Sequence, residues 1–315
     1  MPTENRDFKN RTQGVGLIVI TYSVSTDKGI TLATLNTNGA SIHNLFEETG
    51  RETYKLDQNT QVSFCCGRSR FRNEPSVNEY SINLMLINDA ESPFKPEQID
   101  ALRASLQKIQ TNFPYLDMRK NIVGLGEVAI IEAKLVEKDG KQVYLVELGG
   151  EQVILEEGEG KTFPRHIAPG KYFGVVWEML AKDYNIGLFK ETTAKEKETP
   201  YFNENNPTRA EVLTLQDKLI TYGYPLDKSG IYDKATKEWI IRFNEHYVPD
   251  PSLQKSDNNS TLLDPRVWSV ASEKSLDYIL NYINTKTNTV NSSLFKPIAP
   301  ESDATTSQVA QLNIR

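Results

Sequence analysis

The side chains of this sequence best suited to hold a metal or to act as nucleophiles are its three histidines, His43, His166 and His246, and its two cysteines, Cys65 and Cys66. Imidazole and thiolate are the common donors for zinc, and a site needs three or four of them converging on one point. Cys65, Cys66 and His166 form one combination that reaches three donors. The competing reading is that both thiols are buried and inert, the commoner fate of a free cysteine. Adjacent cysteines close no useful loop, so they do not staple the fold. Lys171 is a single cation in a loop, and such lysines are ordinarily solvated.

The elements that must carry these groups follow from hydrophobic patterning. GLIVITY over 16–22 is a continuous apolar, β-branched run of the kind buried on both faces of a sheet. The stretches 40–46 and 53–56 predict two short strands around the turn Glu48-Thr49-Gly50. SINLMLI over 81–87 predicts a second central strand, and 121–124 has extended character. Between them Ile99, Leu102, Leu106 and Ile109 recur at helical spacing, with Pro96 in the first turn. From 128 to 157 three β-rich segments are joined by Asp139-Gly140 and Gly149-Gly150, both hairpin signals, which predicts a β-meander. A short helix is expected over 175–181. Thr208 caps a helix carrying Val212, Leu215, Leu219 and Ile220, Asp233 caps one through Trp239, Ile240 and Phe243, and a third covers 267–283.

The chain has 315 residues, enough for about two domains. The expected fold class is α/β: a mixed central β-sheet with flanking helices, an inserted β-meander over 130–164, and a small all-α C-terminal domain. The expected division is a loose N-terminus to 14, a sheet domain over 15–190, a charged linker over 191–207, a three-helix domain over 208–284 and a disordered tail over 285–315. Lys and Arg total 36 against 42 Asp and Glu, a net charge of −6 that argues against gripping nucleic acid or an anionic membrane. No run approaches 18 apolar residues, so a transmembrane helix is not expected. The polar start carries no signal-peptide pattern, and a cytoplasmic protein without direct membrane insertion is the expectation.

Several stretches resemble the zinc-dependent N-acetylmuramoyl-L-alanine amidases, in the branch with a C-terminal peptidoglycan-binding helical domain. They are LIVITYS, ASIHNLF, YKLDQNTQVSFCCGRS, NEYSINLMLIND, PFKPEQIDAL, NIVGLGEVA, IAPGK and NIGLF, then LQDKLITYGYPLDKSGIYDKATKEWIIRFNEHYVP. The resemblance runs from about 15 to about 283 and is interrupted at the meander. It implies a zinc ion on two histidines and a third Asp or Cys, with a strand glutamate assisting proton transfer.

Carried over residue by residue, those positions are changed. The first ligand position is Thr21, the second is Leu125, and the glutamate position is Met85. After Ala168-Pro169-Gly170 the chain reads Lys171-Tyr172-Phe173-Gly174, with no acid. Thr offers a weak neutral oxygen, and Leu and Met offer no hard ligand. His43 matches a family histidine outside the zinc shell and reads as structural, His166 falls near the APG segment where an acid is replaced, and His246 reads as a packing or capping residue. The expectation is therefore a degenerate amidase without metal, cofactor or enzyme activity, acting as a scaffold or adaptor among other protein subunits. Such a cytoplasmic lookalike resembles accessory subunits of type IVB secretion coupling complexes. The alternatives are a zinc amidase whose ligands lie elsewhere, or a non-catalytic peptidoglycan binder. The expected partner surface is the meander, the helical domain or the polar C-terminal tail; the meander offers an alternating apolar face of Val143, Leu145, Val153 and Leu155, and exposed strands invite pairing.

Overall fold

The structure is a computed structural model that describes residues 8–148, 150–166, 168–250 and 264–287. Its strands are β1 (Phe8–Asn10), β2 (Leu17–Tyr22), β3 (Asn44–Phe46), β4 (Glu52–Tyr54), β5 (Gln61–Ser63), β6 (Arg70–Phe71), β7 (Glu74–Pro75), β8 (Ser81–Leu86), β9 (Ile122–Gly124), β10 (Ile130–Glu132), β11 (Lys134–Lys138), β12 (Lys141–Leu148), β13 (Glu151–Leu155) and β14 (Thr162–Pro164). The helices are α1 (Lys28–Thr37), α2 (Pro96–Asn112), α3 (Gly174–Tyr184), α4 (Ala194–Glu198), α5 (Arg209–Tyr222), α6 (Lys234–Tyr247) and α7 (Val270–Thr287).

The two apolar runs lie side by side at the centre of a five-stranded sheet, ordered β4-β3-β8-β2-β9. β2 pairs parallel with β8 and β9, and β3 pairs parallel with β8, while β4 returns antiparallel at one edge. Every residue of β2 and β8 is buried, as continuous apolar strands covered on both faces must be. On one face Ile18, Ile20, Ile82 and Leu84 meet α2 and α3 through Leu102, Leu106, Trp177 and Leu180. On the other, Leu17, Val19, Val123 and Leu125 belong to a core that continues into α5, α6 and α7 through Leu219, Tyr222, Trp239, Phe243 and Leu276. The expected α/β class, a mixed sheet with flanking helices, is the fold found.

The meander forms as β11, β12 and β13, on a base where β10 pairs with β14. Its register corrects the expected face. Val153 lies opposite Val146 and Leu155 opposite Tyr144, whereas Val143 lies opposite Val136 and Leu145 opposite Ile154. Directly opposed residues share a face, so the four named side chains are split between two. Leu155, with Val146, packs against Phe163 and Ala235, with Val153 at the rim of that cluster, while Ile154 on the opposite face is 44% exposed. The two hairpin turns fixed the strands, but alternation within a strand sets the face and the register between strands was not readable.

Three expected boundaries also differ. Residues 8–10 pair with β5, and the Arg11 guanidinium is buried, donating to the carbonyls of Gln61, Glu79 and Ser81. The stretch taken for a linker contains α4, capped reciprocally by Thr193 and Glu196, and Glu196 pairs with Lys274 of α7. Phe202 is buried beyond it and the Tyr201 amide bonds the Trp268 carbonyl. Polar composition conceals such local capping and backbone pairing. α7 runs to Thr287, past the expected end at 284, and the remainder of the predicted tail lies outside the described residues.

Candidate functional site

In α/β sheets the groups that do chemistry stand at the carboxyl ends of parallel strands. Thr21 and Met85 are register partners there, and Leu125 continues directly from Gly124, the partner of Ile20. The sequence positions carried over as ligand and glutamate sites therefore do come together at one end of β2, β8 and β9. Their chemistry is not that of a zinc centre. The Thr21 hydroxyl is buried and turned to the Tyr22 carbonyl at 3.4 Å, Met85 packs among Leu32, Leu35 and Leu45, and Leu125 is part of the core. Lys171 to Phe173 form a turn entering α3 and add no acid. Among the described residues no cluster of His, Cys, Asp and Glu is placed to hold a metal ion. These side chains do not fit the zinc that the resemblance implies.

His43 is fully buried under the sheet. The Asn83 amide donates to its Nδ1 at 3.0 Å, which leaves the proton on Nε2, 3.0 Å from the Gln61 carbonyl. Burial, with the charge of Arg11 alongside, pushes this imidazole down to about 4. Both ring nitrogens are occupied, as a structural histidine requires. Cys66 donates to Asn83 Oδ1, and burial raises the Cys65 thiol to about 12 and Cys66 well above its usual range, which suppresses the reactive thiolate. His166 is half-buried, pushed down to about 4 by burial and then by Arg165, and joins no metal cluster among the described residues.

His246 does more than pack. Its ring is stacked between Trp177 and Tyr247, and its Nδ1 lies 2.8 Å from Glu127 Oε2. The same buried carboxylate accepts from the Gly124 amide at 2.7 Å and from the hydroxyls of Tyr222 and Tyr224 at 3.1 and 3.0 Å. Glu127 thus ties the turn that carries Leu125 to helices α5 and α6. A buried carboxylate is tolerated only with this density of donors.

Beside that joint, at the ends of β2 and β8, is a cleft of about 100 Å³ lined by Tyr22, Asn88, Phe94, Lys171, Tyr172 and Glu245. Glu245 comes from α6 and is only 18% exposed; its Oε2 accepts from Arg242 Nη1 at 2.8 Å. Burial, opposed by Arg242, raises its carboxyl to about 7. Tyr22 follows Thr21 directly, and burial followed by Glu245 raises its phenol to about 12. Lys171 makes no ion pair among the described residues and lies over the Tyr172 ring at 5.0 Å.

No family model matches the chain. A Rickettsia conorii protein provisionally named an N-acetylmuramoyl-L-alanine amidase is 32% identical over 230 residues, covering 73% of this chain and 74% of its own. The chain belongs to the N-acetylmuramoyl-L-alanine amidase family. Two solved structures share the fold. Escherichia coli AmiD, in complex with anhydro-N-acetylmuramic acid-L-Ala-D-γ-Glu-L-Lys, superimposes with a TM-score of 0.58 at 18% identity over 85% of this chain and 89% of AmiD. Pseudomonas aeruginosa AmpDH3 gives 0.57 at 19% identity over 86% and 92%.

Membership of an amidase family corrects the expectation of a chain without enzyme activity. The replaced residues at 21, 85 and 125 show which groups do not hold zinc; they say nothing against hydrolysis by others. Sequence reasoning also missed Glu127, Tyr22 and Glu245. One signal was present. The buried stripe of α6 runs Trp239, Ile240, Phe243 and Tyr247, and Arg242 and His246 fall within it at helical spacing. Charged or titratable residues in an apolar stripe ask for partners on the facing surface. No helix among the described residues is long and apolar enough to cross a membrane.

Proposed function

We propose that this chain acts on peptidoglycan fragments at the amide between N-acetylmuramic acid and L-alanine, the bond for which its relatives are named. The observation that carries the reading is the 32% identity over 230 residues, a span that includes most of the chain and of its relative. Support comes from the fold shared with AmiD and AmpDH3 across both the sheet and the helices. The groups available to the reaction at the strand ends are a carboxyl balanced near neutrality, Glu245, a phenol, Tyr22, and a cation, Lys171, the types that exchange protons and offset developing negative charge. The test is incubation of the full chain with anhydro-N-acetylmuramic acid-L-Ala-D-γ-Glu-L-Lys, followed by mass spectrometry. Release of free L-Ala-D-γ-Glu-L-Lys is expected, and an unchanged substrate after long incubation overturns the reading.

A second reading, contact with other protein subunits, including those of a secretion coupling complex, draws on one observation. Val136, Val143, Leu145 and Ile154 share the meander face turned away from Phe163 and Ala235, and Ile154 on it is 44% exposed. Affinity recovery of partners with a Leu145→Ser, Ile154→Ser variant tests it; undiminished recovery removes this face from consideration.

A further inference from the structure

A second cleft, of about 200 Å³, lies at the other end of the sheet. Leu17 opens β2, Tyr80 precedes β8 and Asn121 precedes β9, so its floor is the amino ends of the three parallel strands. Thr21 and Met85 stand at the opposite ends, about 13 Å along the strands. Leu17, Phe71 and Tyr80 are buried beneath the cleft, and Tyr115 on its wall is 50% exposed. Its lining carries two cations, Arg72 and Lys120, against one carboxylate, Glu74.

Arg72 is the group that the fold leaves unfinished. A guanidinium has five N–H donors. Nη1 donates to Asn121 Oδ1 at 2.8 Å, Nη2 to the Lys120 carbonyl at 2.6 Å and Nε to the Tyr222 carbonyl at 3.5 Å. All of these acceptors are neutral, and Arg72 forms no ion pair among the described residues. One N–H on each terminal nitrogen is left over. Asn121 spends Oδ1 on Arg72, and its Nδ2 has no acceptor among the described residues. The turn Arg72-Asn73 has positive φ at both residues, 50° and 65°, a conformation ordinarily supplied by Asn, Asp or Gly. A strained backbone therefore holds an arginine at the cleft.

We propose that this cleft is a second ligand site, for a small aromatic monocarboxylate. The carboxylate accepts from Arg72 and from Asn121 Nδ2 and supplies the counter-charge that Arg72 lacks. The aromatic body lies against Phe71 and Tyr115. A volume of about 200 Å³ suits fused rings with one acid group, and Glu74 disfavours a second acid. The Arg72 amide donates to the Gly223 carbonyl at 2.9 Å, and the Tyr222 hydroxyl reaches Glu127, so the occupant is anchored to the same end of α5 as the buried joint.

The experiment is calorimetric titration of the full chain with 2-naphthoate, with 2-naphthamide as the uncharged control. The wild type is expected to bind naphthoate saturably and about tenfold more tightly than the amide. Asn121→Asp keeps the shape of the side chain but sets a carboxylate beside Arg72. It is expected to abolish that preference and leave the naphthamide affinity unchanged. Tyr115→Ala, at a half-exposed position, is expected to weaken both ligands about fivefold. Lys171→Met, in the cleft at the carboxyl ends, leaves both affinities as they were. No saturable naphthoate binding, equal wild-type affinity for acid and amide, or an Asn121→Asp or Tyr115→Ala chain that binds as the wild type does overturns the proposal. Loss of naphthoate binding in Lys171→Met also overturns it, because that result places the probe in the other cleft.

Discussion

Glu127 and His246 stand 119 residues apart in the chain and 2.8 Å apart in the fold. Their contact is the centre of a buried joint that also includes the hydroxyls of Tyr222 and Tyr224 and the Gly124 amide. Truncating the acid strands several donors without water to replace it. Glu127→Ala is expected to cost about 3–5 kcal/mol, measured as a shift in urea midpoint. A loss below about 1 kcal/mol would show that solvent reaches the joint.

Met85 is packed among Leu32, Leu35, Ile42 and Leu45. A carboxylate there gains no metal and no hydrogen-bond donor. Met85→Glu is expected to destabilise by about 2 kcal/mol or more at neutral pH. An unchanged melting midpoint at pH 7 contradicts the packing described.

Glu245 has a folded-state pKa raised from the usual 4.5 to about 7. The native state therefore holds a proton that the unfolded chain has released, and this group's contribution falls as pH rises from about 4.5 through 7. Glu245→Gln removes that slope. Relative to wild type, the variant should gain on the order of 3 kcal/mol between pH 5 and pH 8. His43 and His166 act in the opposite sense, being depressed from 6.5 to about 4. Their contribution is complete above pH 6.5 and is lost as pH falls through 4, so the Glu245→Gln variant should still weaken on acidification across that window. Parallel urea titrations at pH 4.5, 6.5 and 8 separate the two effects.

The two faces of the meander predict unequal outcomes for two leucines. Leu155→Ala opens the contact with Phe163 and Ala235 and is expected to cost about 2–3 kcal/mol. Leu145→Ser, on the other face, is expected to change stability by less than about 1 kcal/mol. Equal losses, read by thermal melting, would place both side chains in one core.

What could be read from sequence alone was local. GLIVITY and SINLMLI announced buried parallel strands because apolar runs that long have nowhere else to go. Asp139-Gly140 announced a hairpin, and both residues do adopt positive φ, 52° and 73°. Thr208 and Asp233 announced helix starts through side-chain caps that the structure contains. Thr21, Met85 and Leu125 stand near one another at one end of β2, β8 and β9 because parallel pairing sets them in register. What stayed hidden depends on partners far along the chain. Nothing near Glu127 in sequence reveals that two tyrosines and a histidine of later helices complete it. Arg72 likewise reaches the carbonyls of Lys120 and Tyr222 from a two-residue turn that composition does not mark.

The order in which a ribosome delivers this chain gives the Glu127 joint a further consequence. The strands and the turn at 124–127 are made first, while the residues that satisfy the carboxylate arrive only with α5 and α6. Until then the nascent sheet presents Leu125, Val128 and Phe163 to solvent without the helices that cover them. Premature termination ahead of α6 therefore yields a sticky, acid-bearing fragment, suited to capture by chaperones and proteases and not to independent survival.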